Sequence, residues 1–121
     1  MKRQLVVMGL ASLLCGCATV LQSPTETVVP PSAHGEKWAI SAQDDSGMFS
    51  SRITLYVNGT RVASGTVNLH RHSADLTGSF EQHAVLGDCT IVDAPRKSLA
   101  SWGSYQCVVY VDGSKVTTLI F

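Results

Sequence analysis

The segment "RITLYVNGTRVASGTVNLHR", Arg52 to Arg71, leaves few folds open. Ile53, Leu55 and Val57 alternate with Arg52, Thr54 and Tyr56, the period of a strand with one buried face. Asn58-Gly59 follows at once, and because both residue types tolerate positive φ the chain can reverse within two residues. It returns with Ala63, Gly65, Val67 and Leu69 on one side, and Gly65 is the expected place for a bulge or bend. A hairpin with one apolar face must be covered by a second apolar layer.

The rest of the chain supplies that layer in the same period. "WAISA" sets Trp38, Ile40 and Ala42 against Ala39 and Ser41, and further strands are expected in "DLTGSFEQHAV", "GDCTIV", "YQCVVYV" and "KVTTLIF". The last two meet at Asp112-Gly113, a second tight-turn signal. No segment beyond residue 17 shows a 3.6-residue stripe. Residues 37–121 are therefore expected to form an all-β domain, a small antiparallel sandwich or barrel of six to eight strands with one disulfide. Phe121 reads as a core residue of the last strand. Asp44-Asp45-Ser46-Gly47 lacks the alternating oxygen ligands of a calcium loop and reads as a turn.

Residues 1–16 obey different rules. Met1-Lys2-Arg3-Gln4 is a basic start, and Leu5 to Leu14 is an apolar run of ten residues. That is half of the about 20 residues needed to cross a bilayer, but it suits a cleaved export signal. Lys2 and Arg3 are two of the nine bases while all nine acids lie beyond Cys17, so the body is mildly acidic and invites no nucleic acid. The run ends in "LCGC", which resembles the lipobox of bacterial lipoproteins. Leu14 matches the leading Leu, Gly16 the small residue, and Cys17 the cysteine that is cleaved and fatty-acylated. Cys15 stands where Ala, Ser or Thr is commoner. Each buried methylene adds about 0.8 kcal/mol, so two or three acyl chains, palmitate among them, would make anchoring permanent. By the sorting rule of enteric lipoproteins, Ala18 in place of Asp implies the outer membrane.

Residues 17–36 are expected to be a lipidated N-terminus and flexible tether. They hold Pro24, Pro30 and Pro31, three of the four prolines, and His34. Stretched out, residues 18–36 would reach roughly 60 Å. Val28-Val29 offers the alternative of a strand added at a sheet edge.

With Cys15 removed and Cys17 acylated, Cys89 and Cys107 are the remaining thiols in an oxidising compartment and are expected to pair. A domain of this size buries limited apolar surface and gains from the bridge. His70 and His72 would project from one strand face about 7 Å apart, a weak candidate pair of metal ligands with Asp75 in reach and His83 on the order of 20 Å away if His70 pairs with Thr77. No serine sits in a nucleophile elbow, no phosphate loop or dinucleotide fingerprint appears, and no cofactor is implied. "RKSLASWGSYQC" places Ser101, Trp102 and Tyr105 on the loop that the disulfide would pin, a candidate partner-binding edge. It is similar to the Ser-Gly-x-x-Tyr loop of the membrane-bound inhibitors of C-type lysozyme. Ser101 and Tyr105 carry that match, and Gly103 stands one place from the motif's glycine.

The sequence thus leads to a lipoprotein held to the bacterial outer membrane through Cys17, on its periplasmic face. It is expected to act by binding an envelope protein, or as a structural accessory, rather than by catalysis. An inhibitor of a cell-wall hydrolase such as lysozyme and a periplasmic metal-binding protein are the alternatives.

Overall fold

A computed structural model describes residues 19–47, 50–68, 71–92 and 104–121. Among these residues nine strands form two antiparallel sheets packed face to face. In the first, β3 (Trp38–Ser46), β4 (Ser50–Val57) and β5 (Thr60–Asn68) follow one another, and β1 (Thr19–Gln22) and β2 (Glu26–Val28) lie end to end along the outer edge of β3. In the second, β6 (Ser73–Phe80), β7 (His83–Val92), β8 (Ser104–Val111) and β9 (Ser114–Ile120) form a meander. Together they make a small all-β sandwich.

The period-two pattern places the core. Trp38, Ile40, Ala42, Ile53, Leu55, Val57, Ala63 and Val67 point inward from the first sheet, and Leu76, Val85, Cys89, Cys107, Val109, Val111 and Leu119 meet them from the second. Full burial of each large aliphatic contributes about 1.5–3 kcal/mol. Cys89 and Cys107 stand directly opposite across β7 and β8 and are joined as a disulfide, with both residues wholly buried. Phe121 follows β9 half-buried and stacks on Tyr105 with ring centroids 5.4 Å apart.

Three expectations change. Residues 19–36 do not run free: β1 pairs with Gln43–Ser46 and β2 with Trp38–Ile40. Between them Ser23 donates its backbone N–H to the Ala42 carbonyl, and Ala42 donates to Ser23 Oγ. The edge of β3 presents donors and acceptors that a short Pro-flanked strand satisfies without an apolar period of its own. Asp44 and Ser46 belong to β3 and are not a turn, because the reversal waits for Gly47 and beyond. The bulge of β5 falls at Val62, which is left over between the pairs Leu55–Ala63 and Tyr56–Arg61, and not at Gly65. Thr77 pairs with Leu86, and His70, expected opposite it, lies outside the described residues. The chain crosses between sheets after Asn68, and Ser73 pairs with Thr90.

All three two-residue hairpins among the described residues use left-handed backbone: Asn58-Gly59, Glu81-Gln82 and Asp112-Gly113 have φ of +51 and +78, +48 and +69, and +50 and +83. Glu81-Gln82 does so without glycine or asparagine. A left-handed L-residue costs about 1–2 kcal/mol, against the 0.5–1 kcal/mol of extra chain entropy lost by glycine. Gln82→Gly is therefore expected to raise stability by about 1 kcal/mol, read as a higher urea midpoint with an unchanged slope. An unmoved midpoint would mean that this turn is relaxed.

Candidate functional site

The strands run between two ends of different chemistry. At one end lie the three hairpins, where Ser32, in a single 3-10 turn (Pro31–Ala33), meets His83 at the start of β7 and Asp112 in the β8–β9 turn. Ser32 Oγ donates to Asp112 Oδ2 at 2.5 Å, and the His83 Nδ1 position lies 2.6 Å from the same oxygen. The Ala84 N–H donates to Asp112 Oδ1 at 2.9 Å. Beneath, the buried Trp38 ring meets Phe80 and His83 edge to face at 5.1 and 5.5 Å, and its indole Nε1 has no hydrogen-bond partner among the described residues.

The three residue types are those of a hydrolytic triad, but the wiring is not. A triad needs the serine on the imidazole nitrogen remote from the carboxylate. Here Ser32 Oγ lies 3.4 Å from Nδ1, the same nitrogen that faces Asp112, and both converge on one carboxylate oxygen. The serine proton is committed to the aspartate. The arrangement clamps the 3-10 turn and two hairpins together.

Hydrogen bonds from Ser32, then His83, then Ala84 hold the Asp112 carboxyl down at about 2. With a folded value below the unfolded one, its contribution is present above about pH 4 and is lost as pH falls toward about 2. Asp112→Asn keeps a residue suited to the left-handed turn. Over that window the stability difference between wild type and variant is expected to shrink with acid, measured by urea titration at each pH. A difference independent of pH would remove the clamp's electrostatic role.

Beside the clamp, the outer face of the second sheet holds an open groove of about 510 Å³, lined by Thr77, Ala84, Leu86, Tyr110 and Gly113 among others. Its lining is almost wholly apolar, apart from the hydroxyls of Thr77 and Tyr110.

The opposite end carries a buried polar cluster. Asp44 is fully buried and accepts hydrogen bonds from Ser46 Oγ at 2.7 Å and from Ser51 Oγ. Tyr105 OH donates to Ser51 Oγ at 3.1 Å, which ties the second sheet to the first. Burial raises the Asp44 carboxyl above its usual range, partly offset by the Ser46 and Tyr105 hydroxyls, and burial likewise raises Tyr105. A raised folded value means that Asp44 favours folding fully below the ordinary carboxylate range and loses that contribution as pH rises through its folded value. Asp44→Asn, which keeps the hydroxyl contacts without the charge, is expected to raise the unfolding midpoint at pH 7. A lowered midpoint would show that the charge itself stabilises the cluster.

The sequence candidates fare unevenly. Tyr105 is not on a binding edge: it is wholly buried, because it shares the inward face of β8 with Cys107. Ser101, Trp102, Cys17 and His70 lie outside the described residues. His72 is exposed in the link between the sheets, where its carbonyl accepts the Ile91 N–H, and His83 is taken up by the clamp. Among the described residues no three His, Cys, Asp or Glu come together as metal ligands. Sequence reasoning missed the clamp, since its members are 29 to 80 residues apart. Comparison with protein-family models, with curated proteins and with solved structures finds no match to this chain.

Proposed function

We propose that this protein is a lipid-anchored component of the bacterial envelope, fastened to the outer membrane through an acylated Cys17 and acting on an envelope protein by binding. The lipobox-like Leu14–Cys17 and the buried Cys89–Cys107 bridge support the compartment, since such bonds persist in oxidising surroundings. The observation that carries the binding half is the apolar groove beside Leu86 and Tyr110, at the hairpin end. A concave apolar site with few polar groups suits an apolar peptide segment.

Two measurements test the two halves. Intact mass of the protein from membranes is expected to begin at Cys17 with fatty acids attached, and a chain retaining Met1 would refute the anchor. A photo-crosslinker at Leu86 is expected to trap an envelope protein in cells, with the adduct lost on Tyr110→Glu. Absence of any adduct would refute the groove as the binding site. The hydrolase-inhibitor alternative is weaker than the sequence suggested because Tyr105 faces the core; inhibition of lysozyme by the purified domain at micromolar concentration would restore it. Zinc or copper uptake that disappears in His70→Ala with His72→Ala would restore the metal-binding alternative.

A further inference from the structure

The exposed apolar side chains are not scattered. Five large hydrophobic residues are exposed among the described residues: Val20, Leu21, Val29, Val92 and Ile120. Four of them stand at one end of the sandwich. Val20 and Leu21 pair with Asp45 and Asp44, one and two residues before the end of β3, while Val92 ends β7 and Ile120 ends β9. The Tyr105–Ser51 hydrogen bond, between the starts of β8 and β4, brings these strand ends together. Exposure runs from 38% at Val92 to 63% at Ile120, so these residues are open to a covering layer.

The chain enters the domain at the same end. β1 begins at Thr19, only two residues after Cys17, where a tether of roughly 60 Å was expected. Two residues span about 7 Å, close to the thickness of one headgroup layer, which is about 5–8 Å. Acyl chains on Cys17 would leave the start of β1 no room to stand away from lipid. Arg71 is exposed at this end, in the link between the sheets, and so is Asp45, the partner of Val20, so this end carries charge of both signs around its apolar residues. The opposite end exposes the charges of Glu36, Lys37, Arg61, Glu81, Asp112 and Lys115, with Val29 and the groove beside Leu86 as its apolar exceptions.

We infer that the domain rests directly on the bilayer by the end bearing Val20, Leu21, Val92 and Ile120, with its three hairpins pointing away from the membrane. This orientation rests on the lipid-anchor reading and adds a surface to it. The strands are about 25 Å long, so the clamp and the groove would be held about that far above the lipid.

The test uses the full-length, natively lipidated protein in vesicles of phosphatidylethanolamine and phosphatidylglycerol, with one fluorescent amino acid at Leu21, Ile120, Thr60 or Lys115. Lipids brominated just below the headgroup are expected to quench positions 21 and 120 several-fold more than positions 60 and 115. Inserting a long Gly/Ser linker between Ala18 and Thr19 is expected to reduce that contrast. Flotation of each sample with the vesicles is scored first. Protein that fails to float overturns both the anchor and the orientation. Protein that floats but is quenched equally at all four positions overturns the orientation alone.

Discussion

Gly78→Ala is expected to destabilise the protein by about 3 kcal/mol or more, the cost of forcing a side chain into a filled interface. A Cβ there would lie 1.8 Å from the Val62 carbonyl oxygen and 2.9 Å from its carbon, and both are backbone atoms that cannot swing aside. The cause is traceable. Val62 is the extra residue of the β5 bulge, and Gly78 on β6 is where the second sheet crosses over it. Bulges bend a strand and re-aim its peptide groups, and only glycine lets another backbone come this near. Against a total stability of about 5–15 kcal/mol the loss is large. Gly87→Ala is the control, because its Cβ would meet Leu55 and Leu76 at an ordinary 3.5 Å. With no positive φ at Gly87, it is expected to change stability by no more than about 1 kcal/mol. Equal urea midpoints for the two variants would show that the sheets can separate at Gly78 without cost.

That contact also shows which parts of the fold the sequence displays. β3, β4 and β5 are legible because half-buried strands repeat every two residues, and Asn58-Gly59 and Asp112-Gly113 announce their turns. Glu81-Gln82 announces nothing, since the flanking ladder imposes left-handed backbone on residues that do not seek it. β1 and β2 are too short for a period, and their partner is β3 rather than anything within the segment. Which glycine faces a neighbouring backbone is a property of how two sheets meet, so Gly65 and Gly78 look alike in sequence.

At the candidate site some signals were present but outweighed. Tyr105, Cys107, Val109 and Val111 alternate, and a cysteine that pairs inside the core carries Tyr105 inward with it. Likewise Asp44 continues the face of Trp38, Ile40 and Ala42, and only the general cost of burying a carboxylate argues for an exposed turn. Ser46, Ser51 and Tyr105 meet that cost with hydroxyls drawn from three strands, a combination visible only after folding. Asp75 and Asp88 show the reverse case. They face one another across β6 and β7 on the solvent side, so like charges oppose in a place that the sequence alone does not pair.

Replacing both Cys89 and Cys107 by Ala is expected to cost about 3 kcal/mol while leaving the fold in place. Two contributions separate here. The register of β7 on β8 is already set by a ladder running from Val85–Val111 to Val92–Ser104, so the bridge is not needed to choose the pairing. What it removes is the freedom of an 18-residue separation in the unfolded chain, and closing a loop of that size accounts for about 3 kcal/mol. The far-UV circular dichroism of the double variant should therefore match wild type, while its urea midpoint falls. Since both cysteines are fully buried, a thiol reductant can reach the bond only when the sheets part. Reduction of the folded protein should then proceed no faster than its opening, and dilute urea should accelerate it. An unchanged midpoint in the double variant, or rapid reduction without denaturant, would mean that the bridge does not secure the core. A chain built to be secured this way gains that stability only where thiols are oxidised, which links the energetics of β7 and β8 to the export signal proposed for residues 1–16.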